Sequence, residues 1–355
     1  MSSLRLRSVG LAVAVLMLQG LACSRIQSAM IESNVDRAME GNRPDWLEDD
    51  AMHVVLCGSG APLLDTNRAG PCTAVIAGGM MFLVDVGPGS TERSLEYRLP
   101  LEKLDAVLLT HFHSDHIGEL GEAMTQSWIA GRRTPLDVYG PPGVSDVVGG
   151  FLQAYSRDQV YRTTHHSEQF MPEGGAKMRA HRVVPEIGKD FTVLEKAGLK
   201  ITAITVDHAP VAPAVGYRFD YAGRSVVISG DTVYSKNLER ASKGVDLLVH
   251  EVLQKAIIGS VSQAMADRGV DRLSKLSGDI LEYHTSPAEA VQLAREAGVR
   301  NLVFNHIVPP LPDRLARWLF FQDIGETGDT DVVLGHDGLH YRLAPGGETE
   351  HDDLD

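Results

Sequence analysis

Leu108-Leu109-Thr110-His111-Phe112-His113-Ser114-Asp115-His116-Ile117-Gly118 is the stretch on which the fold turns. Three histidines and one aspartate fall between residues 111 and 116, directly after an apolar run and directly before a helix-like pattern. In extended backbone, residues two apart share a side. His111 and His113 therefore face one way, while Asp115 and His116 occupy the following turn and address a second position beside it. Imidazole and carboxylate are ligands that suit zinc, and also iron or manganese. The competing reading is a polar loop with solvated or hydrogen-bonded histidines, and the density of ligand-type side chains at a buried strand end speaks against it.

Outward from this stretch, short apolar or alternating runs predict strands at Met52 to Cys57, Thr73 to Ala77, Met81 to Val86, Ala106 to Leu109 and Leu136 to Tyr139. Helices are expected near Ser90 to Tyr97, from about Ile117 to Ile129, and over Val144 to Tyr155. Tyr161 to Pro185 reads as a long irregular insertion carrying His165, His166 and His181. Further strands follow at Leu199 to Val206, Ala214 to Tyr221, Ser225 to Ile228, Val245 to Val249 and Leu302 to Asn305. Ser286 and Pro287 mark the N-cap and first position of a helix ending near Ala297. Val332 to Leu343 reads as a closing hairpin, and Gly346 to Asp355 as an acidic, disordered tail. Strands followed by strand-helix units in each half imply an α/β fold of two mixed sheets packed face to face with helices outside.

The chain has 355 residues, 43% of them hydrophobic and 23% charged, which excludes disordered, collagen-like and disulfide-scaffold classes. Its formal net charge of −14 argues against a large nucleic-acid footprint built on clustered Lys and Arg. Residues 1–22 have the form of a signal peptide: Arg5 and Arg7, then the apolar run Leu11 to Leu18, then Gly20-Leu21-Ala22 before Cys23. Residues 23–50 read as a polar tether, 51–345 as the catalytic domain and 346–355 as the tail. Export to the periplasm or the medium is expected. In an oxidising compartment Cys57 and Cys72 can pair, but the favoured reading is two small buried residues ending one strand and opening the next.

The quoted stretch resembles the metallo-β-lactamase superfamily signature His-x-His-x-Asp-His. In order around it come Gly58-Ser59-Gly60-Ala61-Pro62, Asp85-Val86-Gly87-Pro88-Gly89, Val206-Asp207-His208, Gly216-Tyr217-Arg218, Ser229-Gly230-Asp231-Thr232, His250-Glu251, His284-Thr285-Ser286 and Asn305-His306. The resemblance implies an αββα sandwich and makes His111, His113 and His208 ligands of one metal and Asp115, His116 and His306 ligands of a second, with Asp231 bridging them. Two zinc ions per chain are expected, with iron or manganese as alternatives. Metals about 3.5 to 4 Å apart activate water near neutral pH, so hydrolysis is the expected reaction, with Asp115 orienting the water. Asp85 would hold a ligand imidazole through its second nitrogen, or cap a turn. Cys23 is similar to the lipid-accepting cysteine of bacterial lipoproteins, although Gly20 stands where that pattern usually has Leu; a lipid there would be the only membrane link.

His250-Glu251 and His284-Thr285-Ser286 resemble the branch that holds ribonuclease Z and the zinc-dependent arylsulfatases. In ribonuclease Z the second-motif histidine faces the scissile phosphate and the first-motif glutamate orients it, which makes His284 and Glu251 the matching catalytic candidates. The chain departs from both motifs after these residues, with Val252-Leu253 after Glu251 and Thr285-Ser286 in swapped order. Because of the export signal, the acidic balance and the short His208 to Asp231 segment, the expectation is cleavage of a small sulfate or phosphate ester, with nucleic acid not expected as partner. A ribonuclease Z activity on tRNA 3′ ends is the alternative, followed by lactone hydrolysis and by metal binding without turnover.

Overall fold

The computed structural model describes residues 27–33 and 45–354. Backbone contacts divide the chain into two units, Met1–Asp45 and Trp46–Asp355. In the first, residues 27–33 form an exposed helical stretch. The signal peptide and Cys23 lie outside the described residues, and among the described residues no helix is long and apolar enough to cross a membrane.

In the second unit the strands are β1 (Met52–Gly58), β2 (Cys72–Ala77), β3 (Met80–Val84), β4 (Leu104–Leu108), β5 (Leu136–Gly140), β6 (Met178–Arg182), β7 (Phe191–Lys196), β8 (Leu199–His208), β9 (Val211–Tyr221), β10 (Arg224–Ile228), β11 (Leu247–Leu253), β12 (Asn301–Val308), β13 (Asp331–Leu334), β14 (Leu339–Leu343) and β15 (Thr349–Asp353). One sheet has the order β15-β14-β1-β2-β3-β4-β5-β6 and the other β13-β12-β11-β10-β9-β8-β7. β3 to β6 run parallel, as do β10 to β13. Parallel strands need crossovers, and the helices that supply them cover the outer faces. A central core joins the sheets through residues such as Phe82, Tyr217, Phe219 and Val249. Trp128 and Leu120 lie outside the first sheet, and Leu293 and Phe320 outside the second. This is the expected αββα sandwich.

Five expectations need correction. Val332 to Leu343 is not a hairpin, because β13 pairs with β12 in one sheet and β14 with β1 in the other. Gly335 makes the crossing, and a Cβ there would lie 2.3 Å from the Phe304 carbonyl oxygen. The acidic tail is ordered as β15, whose backbone pairs with β14 while Leu354 packs on the core. The 161–185 insertion is regular for much of its length: the Val144–Phe170 helix, broken at Ser167 (φ +72°), runs on into it, and β6 follows near its end. The folded unit begins before residue 51, since Trp46 is buried against His53 and His340. Finally, Cys57 and Cys72 are disulfide-bonded, because the ends of β1 and β2 bring their Cα atoms to 5.0 Å.

Candidate metal centre

The candidate residues gather at one edge of the sandwich, beyond the carboxyl ends of β3, β4, β8 and β10. Asp85 follows β3 in a left-handed turn with φ +59°. Gly87 lies under the His111–His116 loop, where a Cβ would meet the Asp115 carbonyl oxygen at 2.2 Å. His208 ends β8, and Asp231 follows β10 through Gly230, where a Cβ would lie 2.7 Å from the Val215 carbonyl oxygen. His306 is the extra residue of a bulge, since Glu251 pairs with Asn305 and Val252 with Ile307. Its φ of +46° re-aims the imidazole out of the ladder.

Ligand-type atoms of His111, His113, His208 and Asp231 all lie within 4.8 Å of one another, as do those of Asp115, His116 and His306. Asp231 Oδ2 stands between the two groups, 3.8 Å from His111 Nε2, 3.8 Å from His208 Nε2, 3.3 Å from His116 Nε2 and 3.4 Å from His306 Nε2. One carboxylate oxygen thus faces four imidazoles at the residue for which a bridging role is expected.

The second ring nitrogens decide which lone pairs are free. His116 Nδ1 donates to Asp85 Oδ2 at 2.8 Å, and His208 Nδ1 donates to the Tyr283 carbonyl at 2.9 Å. Thr110 Oγ1 donates to Asp85 Oδ2 at 2.7 Å and so accepts from His111 Nδ1 at 3.1 Å. The Nε2 atoms of His116 and His208 are thereby left facing the cluster, while His111 Nε2 meets His113 Nδ1 at 2.9 Å. His116 Nε2, His208 Nε2 and Asp231 Oδ1 are buried without a hydrogen-bond partner, a cost that bound cations would remove. The residues therefore fit a pair of metal ions. Burial pushes the His111, His113 and His208 imidazoles below their usual range, so they are neutral and ready to coordinate. For Asp231 burial acts upward, but its interactions with the His306 and His116 imidazoles hold its carboxyl well below the carboxylate range. Asp85 also takes the Thr110 backbone N–H at 2.8 Å, so turn capping and imidazole positioning are combined in one side chain.

Glu251 and His284 lie beside the cluster. Glu251 is buried in β11 and accepts from the Thr285 N–H at 2.9 Å and, less closely, from the Thr232 N–H at 3.3 Å. Its other oxygen is 3.2 Å from His284 Nδ1. Burial would lower the His284 pKa, yet the Glu251 charge outweighs it and the net direction is upward. A ligand-type atom of His284 is also within 4.8 Å of Asp231 and His306, close enough to coordinate. His250 is fully buried and bonds the Glu251 carbonyl, a structural role. His165 and His166 are exposed on the Val144–Phe170 helix, edge to face with each other. Sequence reasoning missed Thr110 and Tyr283, although each stands next to a chosen histidine.

The profile of the Beta-lactamase superfamily domain matches residues 81–307. The chain belongs to the metallo-β-lactamase superfamily. Ribonuclease Z of Mycobacterium marinum is 39% identical over 263 residues, covering 73% of this chain and 88% of that protein. Ribonuclease Z of Mycolicibacterium paratuberculosis is 40% identical, covering 73% and 87%. The human tRNase Z short form superposes with a TM-score of 0.58 at 18% identity, covering 81% of this chain and 98% of that one. YhfI of Bacillus subtilis, a metallo-β-lactamase fold protein, gives 0.57 at 20%, covering 82% and 100%. Within the superfamily the chain falls in the ribonuclease Z branch, and it is a metal-dependent hydrolase of ester bonds.

These relatives overturn the expectation of an arylsulfatase-like enzyme for small esters, and with it the expectation that nucleic acid is not a partner. Net charge misled because it sums the whole surface and omits bound cations. Two divalent ions would add four positive charges at the one place where a phosphate must sit. The short connection between His208 and Asp231, filled by β9 and β10, likewise failed to separate this chain from relatives named ribonuclease Z.

Proposed function

We propose that this enzyme is a zinc-dependent phosphodiesterase of the ribonuclease Z kind, cleaving tRNA precursors at the 3′ side. The likeness to curated ribonucleases Z over 87% to 88% of their length carries the reading. His111, His113 and His208 would hold one zinc and Asp115, His116 and His306 the other, with Asp231 shared. Bound there, the ions would supply Lewis acidity and an activated water. Asp115, whose Oδ2 lies 3.3 Å from His306 Nε2, would orient that water. As water adds to phosphorus and the bond to the leaving oxygen breaks, His284 gives its proton to that oxygen. Glu251 at Nδ1 keeps the ring aimed and charged.

We also propose that the mature chain begins at Cys23 outside the cytoplasm, a reading supported by the Cys57–Cys72 disulfide, a bond favoured in oxidising compartments. An exported enzyme would meet RNA other than the cell's own tRNA precursors, so the precursor serves here as the probe of the bond that is cut. The activity test uses the metal-loaded chain and a precursor tRNA with a 3′ trailer. One cut that frees the mature 3′ end is expected. A protein holding both metals that leaves the precursor intact would refute the assignment.

A further inference from the structure

The helices Lys255–Ala266 and Asp271–Asp279 carry apolar residues at helical spacing: Ile258, Val261 and Met265 on the first, Leu273 and Leu276 on the second. These stripes do not enter the core. Only Ile258 is buried, while Leu273 and Leu276 stay about half exposed, at 48% and 50%. The two helices pack on each other, with Ser262 Oγ donating to the Ser274 carbonyl at 2.8 Å, and turn the stripes toward a cavity of about 540 Å³. Its opposite wall is the metal centre itself: His113, Asp115, Asp231, His284 and His306. Tyr283 lies between the walls, its ring 4.7 Å from that of His208 and 4.8 Å from that of His284.

An apolar cavity that opens onto the reacting centre is filled by a part of the substrate covalently attached near the scissile bond. Its volume lies within the roughly 300 to 1,000 Å³ of small-molecule sites. We propose that it takes one unpaired base of the RNA, from a nucleotide flanking the scissile phosphate, a reading that rests on the function proposed above. In RNA the base is the flat, apolar-faced group within reach of that phosphate, and Tyr283 supplies a ring to stack on. Beyond the metal-centre side chains and the Tyr283 hydroxyl, the polar side chains of the lining are Ser114 and Ser277. No Asn, Gln, Arg or Lys is among the lining residues to read a base edge. The pocket therefore requires a base but tolerates any of the four.

The test uses the metal-loaded full chain and precursor tRNAs that carry an abasic ribose on one or the other side of the scissile bond, compared with all four bases at the same position. At one of the two positions, removing the base should lower kcat/KM by about 5- to 150-fold, the range of base–aromatic stacking. Exchanging bases there should change it by less than about threefold. Leu273→Ser and Leu276→Ser, at half-exposed sites, should lower kcat/KM on the intact RNA by a larger factor than on the abasic RNA, and the rate that remains on the abasic RNA shows that the variants are folded. Equal rates on intact and abasic substrates, or a tenfold preference for one base, would overturn the pocket assignment while cleavage itself stands. If the parent enzyme cuts no precursor, both this inference and the function beneath it fall.

Discussion

Asp85→Asn tests how the second cluster is assembled. Asp85 is 4% exposed and accepts three hydrogen bonds: Thr110 N at 2.8 Å on Oδ1, and Thr110 Oγ1 at 2.7 Å and His116 Nδ1 at 2.8 Å on Oδ2. An amide has the same shape but only one accepting atom. With its NH2 at the Oδ1 position, the Thr110 N–H faces a donor and is left unpaired, at about 1–3 kcal/mol. With the NH2 at the Oδ2 position, the Thr110 hydroxyl can rotate to accept, but His116 must move its proton to Nε2, the atom needed by the metal. Either orientation also weakens a charge-assisted bond that fixes the imidazole, so affinity at the second cluster should fall by about 10- to 100-fold. Dialysis against a graded series of chelators, followed by elemental analysis, should show one ion lost well before the other, whereas the parent loses both later. Urea unfolding after complete metal removal isolates the hydrogen-bond cost, expected at about 1–3 kcal/mol. If the variant keeps both ions at parental chelator concentrations, Asp85 does not orient His116. If its metal-free stability is also unchanged, the three bonds are not worth what their burial implies.

Asp231→Ala should retain at most one metal and lose nearly all activity, because its Oδ2 faces imidazoles of both clusters; two ions per chain in that variant would sink the bridging assignment. His284→Ala should keep both ions while kcat falls about 10²- to 10⁴-fold, and loss of metal instead would make His284 a ligand. Mass spectrometry of the protein from its native host should find an N-terminus at Cys23, with or without a lipid, and an intact Met1 would end the export proposal. Burial and the charge of His340, opposed by Asp49, push the His53 pKa down to about 4 from 6.5. The unfolded chain thus takes up this proton first, so stability is full above pH 6.5 and falls between pH 6.5 and 4, by up to roughly 3 kcal/mol. Urea midpoints against pH should fall less steeply for His53→Gln, and parallel curves would refute the linkage.

The sequence alone determined the superfamily, the sandwich and the seven proposed ligands, because these rest on local facts. A run such as Val54 to Leu56 or Val226 to Ile228, largely β-branched and apolar on both faces, favours a strand covered on both sides. Histidines that follow such runs are presented at strand ends whatever the rest of the chain does. Tertiary structure decided whatever depends on partners distant in sequence. Whether β13 and β14 form a hairpin or part between two sheets depends on Gly335 passing against Phe304, which no local pattern records. The acidic tail becomes β15 because β14 offers a free edge, and Cys57 reaches Cys72 because β1 and β2 are neighbours. The Nε2 atoms of His111, His116 and His208 face the cluster because Thr110, Asp85 and the Tyr283 carbonyl accept from the other nitrogen of each ring. Of these acceptors, one is a neighbour in sequence and two arrive from 31 and 75 residues away. The apolar stripes of the Lys255–Ala266 and Asp271–Asp279 helices have the periodicity of a core, and only the packed fold shows that they face a cavity at the metal centre.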